Sequence, residues 1–278
     1  MTTRALAARV ASSRAASASY SSSDSHRSHQ RRLGPRSRPI RASRGRIAPV
    51  VRVSAAKKDP ANLAVFVSGG GSNMRAIHAA CEDGRVNGRI AVVVTNATDC
   101  GGAAWARERG IPVLIYPPKK TDANGMTANE LVDALTREHA AKFVLLAGYL
   151  RLIPPELCRA YEDAMVNIHP ALLPAFGGKG MHGDNVHRAV VASGVRYSGP
   201  TIHFVNEEFD KGKIIAQTAV PVFHSDDASA VAARVLEQEH LLFPRVVAAL
   251  CDDRVRFRDD DGVPYIIDNA DDDADDDV

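Results

Sequence analysis

The chain has 278 residues, 45% of them apolar, which is enough for one large domain or two ordinary ones around a sizeable core. Its charge of +2 hides two unlike parts: residues 1–56 hold 12 Arg, no Lys and one acid, Asp24, for +11, leaving 23 basic and 32 acidic residues in 57–278. An acidic body argues against a nucleic-acid-binding surface, no apolar run approaches the roughly 18 residues of a membrane span, and Cys81, Cys100, Cys158 and Cys251 lack metal-ligand spacing, so no zinc site or disulfide framework is expected.

Residues 1–56 also hold 12 Ser and show no apolar periodicity. Arg- and Ser-rich, nearly acid-free sequence has the composition of an organellar transit peptide, plastid by its serines with the mitochondrion as second choice; a basic arm that stays attached is the alternative. The apolar run 63–68 meets Gly69, Gly70, Gly71, Ser72 and Asn73, and 74–81 reads as a helix. Then come a strand over 90–95, a helix over 101–109, a strand over 112–116, a helix over about 127–139, and strands over 143–147 and 164–168. Continuous apolar strands alternating with helices predict an α/β fold: a doubly wound, mostly parallel sheet covered on both faces. Beyond 200 the pattern changes to strands over 201–205 and 214–220, expected antiparallel, and a long helix over about 228–250. A further strand is read over 263–267. The tail 268–278 holds seven Asp and reads as a solubilising, disordered end. The expected division is a transit segment 1–56, a catalytic domain 57–252, an extension 253–267 and the tail.

Two features point to chemistry. Glycines between a strand and a helix let backbone N–H groups approach an anion at the positive end of the helix dipole, so Gly70, Gly71, Ser72 and Asn73 suit a phosphate; a turn used only for packing is the alternative. The loop is neither a dinucleotide fingerprint nor a Walker loop. Asn167 and His169 alternate on one side of a strand at its carboxyl end, where open parallel sheets bind ligands. There an amide donor and an imidazole suit oxyanion stabilisation and proton transfer, and Asp210 in a later loop offers an acid to orient or charge the imidazole.

The segments V-S-G-G-G-S-N at 67–73, L-A-G-Y-L-R at 146–151, N-I-H-P-A-L-L-P at 167–174, G-P-T-I-H-F-V-N-E-E-F-D-K-G at 199–212 and A-R-V-L-E-Q-E-H at 233–240 together resemble the phosphoribosylglycinamide formyltransferases, within the wider folate-dependent formyltransferase group. The resemblance covers about 63–250. It implies formyl transfer from 10-formyltetrahydrofolate, a consumed co-substrate, to the amine of glycinamide ribonucleotide in purine synthesis. No bound cofactor, metal, nucleic acid or membrane is implied, and monomer and homodimer both stay open. By the same resemblance, Asn167, His169 and Asp210 form the catalytic trio, Gly70 to Asn73 hold the substrate phosphate, and Glu239 holds its sugar or amine side. Leu150, Arg151, Leu152, Ile153, Asn206, Glu207, Glu208 and Phe209, with Asn167, cradle the folate, and His203 supports the trio from behind. A protonated His169, charged by Asp210, is the expected acid.

Two segments depart from the family pattern. Asn124 stands near where some relatives place a basic residue for the folate tail, with Lys119 and Lys120 close by. The loop 177–185, bearing Lys179 and His182, is longer than the shortest family versions and reads as solvated, with contact between substrate and Lys179 or His182 as the alternative. Three rivals share parts of the pattern. A formyltetrahydrofolate deformylase uses water as nucleophile and usually has an extra N-terminal domain; a methionyl-tRNA formyltransferase adds a C-terminal module and a basic surface. A non-catalytic phosphosugar-binding protein needs the glycine loop without the trio.

Overall fold

The computed structural model describes residues 59–118 and 125–267. The expectations for the transit segment, for Lys119, Lys120 and Asn124, and for the acidic tail lie outside those residues.

The first half winds as the apolar pattern predicts. Strand β1 (Ala61–Val67) leads into α1 (Ser72–Glu82), β2 (Gly88–Thr95) into α2 (Gly101–Glu108), and β3 (Val113–Ile115) into α3 (Ala128–Asp133). A capping box starts α3: the Thr127 hydroxyl accepts from the Glu130 N–H, and the Glu130 carboxylate accepts from the Thr127 N–H at 2.8 Å. The single helix expected over 127–139 instead changes from α to a π-helical turn over Ala134–Glu138. Strand β4 (Phe143–Leu146), α4 (Pro155–Ala160) and β5 (Met165–His169) complete the parallel part.

The second half is α5 (Asp184–Ser193), β6 (Tyr197–Ser198), β7 (Thr201–Phe204), β8 (Ile214–Gln217), β9 (Val220–Pro221), α6 (Ala228–Cys251), β10 (Val255–Phe257) and β11 (Pro264–Ile266). The strand expected over 214–220 is two strands: β8 pairs antiparallel with β7, whereas β9 leaves the sheet to pair with β6. The last expected strand is the second arm of a hairpin, since β11 pairs with β10. That hairpin is joined to the domain by Phe257, whose ring stacks on Phe204 at 5.5 Å.

The main sheet runs β3-β2-β1-β4-β5-β7-β8, parallel through β5 and antiparallel from β5 to β8. Alternation along β1 explains the two covered faces. Leu63, Val65 and Val67 pack with Met74 and Ile77 of α1 and Phe243 and Val247 of α6. Ala64 and Phe66 pack on the other face with Leu131, Leu135 and Leu157. Both sides of β1 are therefore dry, so its sequence is continuously apolar rather than alternating. A third cluster, with Val186 and Val190 of α5 against Val231 and Val235 of α6, fixes α5 beside the sheet's carboxyl end.

Candidate active site

Strand order reverses at β1: β2 and β3 lie to one side, β4 and β5 to the other. The loops that leave the carboxyl ends of β1 and β4 meet there, at the position where open α/β sheets take ligands. Ser68 ties the two loops together. Its N–H donates to the Gly148 carbonyl (3.0 Å), and its hydroxyl accepts from the Leu150 N–H (2.9 Å) and donates to Asn96 Oδ1 (2.5 Å).

The glycine loop forms the start of α1. Gly71 caps the helix in the left-handed region at φ 75°, and a Cβ there would lie 3.0 Å from the Gly102 backbone, so glycine meets both a conformational and a packing demand. Ser72 is then the first helical residue, with its N–H among those a helix leaves unpaired. Arg75 donates to the Gly70 carbonyl at 2.9 Å and sets a cation beside the loop.

Strand β5 delivers Asn167 and His169, and pairing with β7 sets His203 opposite Asn167. The loop from 206 to 213 brings Asp210 to both histidines. A Cβ at Gly212 would fall 1.7 Å from the Phe204 carbonyl oxygen, so glycine is required for this loop to close down on β7. Asp210 itself sits at φ 52°, a left-handed position costly for a non-glycine residue. It is held there by the Gly178 N–H, which donates to Oδ2 at 2.8 Å.

A carbonyl can only accept, so the tautomers follow from the partners. His169 Nε2 lies 2.8 Å from the Phe176 carbonyl and is the protonated nitrogen, leaving Nδ1 as the basic site, 3.6 Å from Asp210 Oδ2. His203 Nδ1 lies 2.7 Å from the Phe204 carbonyl and bears its hydrogen. His203 Nε2 therefore accepts from the Asn167 amide at 3.1 Å and stands 3.6 Å from Asp210 Oδ1. One amide hydrogen of Asn167 is thus occupied by His203 and the other stays available.

Burial pushes the His169 imidazole below its ordinary value; Asp210 and the Phe176 carbonyl oppose this and the His203 ring adds to it. For Asp210, burial acts to raise the carboxyl, but His203, the Gly178 N–H and the charge of His169 bring it below the usual carboxylate range. Burial therefore works against the standing imidazolium expected from the sequence, while Asp210 works for it. Desolvation outweighs a carboxylate 3.6 Å away because that separation is too long for a hydrogen bond.

A cavity of about 430 Å³ lies over these groups. Asn167, His169, His203 and Asp210 line it, with Leu150, Arg151, Leu152 and Ile153 after β4 and Asn206, Glu208 and Phe209 after β7. Leu150, Leu152 and Phe209 are exposed beside Arg151, Asn206 and Glu208, so its rim mixes apolar with polar and charged groups. Glu207 is outside the lining; its carboxylate lies 3.4 Å from Arg159 and it faces a second cleft of about 340 Å³. From the glycine loop only Asn73 reaches the lining, and Gly70, Gly71 and Ser72 lie beyond it. The Asn73 amide donates to Glu239 Oε2 at 2.6 Å, and its Oδ1 has no partner. Burial raises the Glu239 carboxyl, with Asn73 opposing.

The loop over 177–185 is largely exposed, as expected, and also borders the cavity. Gly178, Gly180, Met181, His182, Gly183 and Asp184 wall the cavity, while Lys179 stays out of it. Sequence reasoning also passed over His187 of α5, which lines the same cavity from between Val186 and Val190. The available signal was a lone histidine on an apolar helix face. Among the described residues no cluster of His, Cys, Asp or Glu is arranged for a metal ion, and no helix is long and apolar enough to cross a membrane.

Residues 61–247 match the model of the formyl transferase family. The chain belongs to that family. It is 58% identical over 205 residues to the chloroplastic phosphoribosylglycinamide formyltransferase of Arabidopsis thaliana, covering 73% of this chain and 70% of the relative. A solved glycinamide ribonucleotide transformylase from Symbiobacterium toebii superposes with a TM-score of 0.67 at 32% identity, covering 76% of this chain and 95% of that one. A formyltetrahydrofolate deformylase from Pseudomonas syringae superposes nearly as well, at 0.66, with 26% identity and 67% of its length covered. For this formyl transferase the matched region ends before β10, so the terminal hairpin lies outside it.

Proposed function

We propose that this formyl transferase moves the formyl group of 10-formyltetrahydrofolate to the primary amine of glycinamide ribonucleotide, giving the formylated ribonucleotide and tetrahydrofolate. The observation that carries this reading is the convergence on one cavity of Asn167, His169 and Asp210 with the Asn73–Glu239 pair. A hydrolase needs the trio alone. An amine acceptor on a sugar phosphate also needs polar groups beside the trio, and Asn73 and Glu239 line the same cavity.

In the chemical step the amine attacks the formyl carbon and the carbonyl electrons move to oxygen. The free amide hydrogen of Asn167 donates to that oxyanion. The neutral His169 takes the proton released by the attacking nitrogen at Nδ1, becomes an imidazolium facing Asp210, and returns the proton to the departing folate nitrogen. Asp210 thus stabilises a charge that exists only during turnover, the kind of interaction that accelerates rather than merely binds. The exposed apolar side chains of Leu150, Leu152 and Phe209 suit a flat pterin, with main-chain groups of 150–153 and 206–210 for its polar edge. Gly70, Gly71, Ser72 and Asn73 take the phosphate, assisted by Arg75, and Glu239 takes the sugar or amine side.

Ser72→Pro tests the phosphate assignment. Proline is tolerated at the first helical position and removes only one N–H. Calorimetry should show glycinamide ribonucleotide bound about 10- to 100-fold more weakly and folate bound as before. Equal weakening of both, with unchanged circular dichroism, would reject it.

We also place the protein in the plastid stroma, on the composition of residues 1–56 and on plant relatives named chloroplastic. Residues 1–60 fused to a fluorescent reporter should direct it to plastids; a cytosolic or mitochondrial signal would contradict this.

A further inference from the structure

Helix α5 buries Val186, His187 and Val190 on one face. His187 is only 7% exposed, and its Nδ1 is fully buried without a hydrogen-bond partner. Its place between two valines on a face packed against Val231 and Val235 would suit another apolar side chain. A buried polar group left unsatisfied is costly, so its presence calls for a partner that arrives later. The side chain borders the cavity shared by His169, Asn73 and Glu239. Asn73 Oδ1 is also buried without a partner, so two residues with unsatisfied polar atoms border one cavity.

We propose that His187 is a substrate-binding residue whose Nδ1 accepts a hydrogen bond from the amide N–H of the glycinamide group, the link between the sugar and the attacking amine. This rests on the functional reading above. A neutral ring suits the task, because a cation there would repel the imidazolium that forms on His169. Burial does hold the His187 imidazole below its ordinary value; Asp184 opposes this and His169 reinforces it. The bond orients the amine towards the formyl carbon, a role that neither the trio nor the phosphate loop fills.

The test compares His187→Leu, His187→Asn and His187→Gln in the full chain, titrated separately with glycinamide ribonucleotide and with a non-transferable folate analogue. His187→Leu should bind the ribonucleotide about 5- to 10-fold more weakly, bind the folate as wild type does, and melt no lower, since the unsatisfied atom is gone. Asparagine places an amide near the Nδ1 position and should keep affinity within about twofold; glutamine reaches the Nε2 position and should behave like leucine. Unchanged ribonucleotide affinity in His187→Leu, or equal loss of both ligands, overturns the proposal. So does rescue by glutamine rather than asparagine. If His187→Leu does not fold, the asparagine and glutamine pair decides alone. Wild-type protein that binds no glycinamide ribonucleotide at all would instead remove the functional reading beneath it.

Discussion

Replacing Asp210 by Asn is expected to slow turnover by about 10²- to 10⁴-fold while both substrates stay bound, because positioned acid–base groups contribute on that scale. Asparagine keeps the shape and can still accept from the Gly178 N–H, but it lacks the charge that stabilises the imidazolium of His169. The loss should therefore fall in kcat and not in KM. Burial lowers the His169 imidazole and Asp210 partly offsets this, so without the carboxylate the ring falls further. The acid limb of kcat/KM, which reports the free enzyme, should shift to lower pH in the variant. That limb does not belong to Asp210, whose own carboxyl is held below its ordinary range: its contribution to stability is full above the unfolded value of about 3.9 and is lost only as pH falls through the lower folded value. His169→Ala and the double variant complete the cycle. If Asp210 acts through His169, the double variant is scarcely slower than His169→Ala, since groups acting as a unit are not additive. Losses that multiply would mean that Asp210 is only a loop residue.

Asn167→Ala should lower kcat by about 10²- to 10³-fold, the usual effect of removing one oxyanion donor, with little change in the affinity of either substrate. The same substitution leaves His203 Nε2 without its amide donor, so a stability loss of about 1–3 kcal/mol should accompany it. The two effects separate cleanly. His203→Ala also breaks that hydrogen bond but leaves the Asn167 amide in place, so it should cost less activity than Asn167→Ala. Steady-state kinetics and thermal melts of both variants check this, and equal kcat losses would assign Asn167 a structural role only.

The parallel half of the fold was legible because a strand dry on both faces must be continuously apolar, as in β1 and β4. The shorter pieces were not. Strands of two or three residues such as β6, β9 and β10 are too brief for any periodicity, and their pairing is set by chain reversals elsewhere. Helix α5 was hidden by the glycine-rich stretch before it, and His187 with it, since nothing in D-N-V-H-R-A-V shows that Val186 and Val190 face α6. Asn167, His169 and Asp210 could be picked out by residue type and strand position, and by resemblance. Their charge state could not, because it depends on burial: spacing suggests that a carboxylate charges a histidine, and desolvation works against that. Glu207 shows the same limit, for its loop was identified but the direction of its side chain was not.

The identity of the nucleophile, the amine of glycinamide ribonucleotide, decides between transferase and hydrolase. The full chain is incubated with 10-formyltetrahydrofolate, with and without that ribonucleotide, while tetrahydrofolate and formylated product are both followed. Tetrahydrofolate should be released only when the ribonucleotide is present, matched one to one by formylated ribonucleotide. Tetrahydrofolate and free formate appearing at the same rate without it would make the protein a hydrolase.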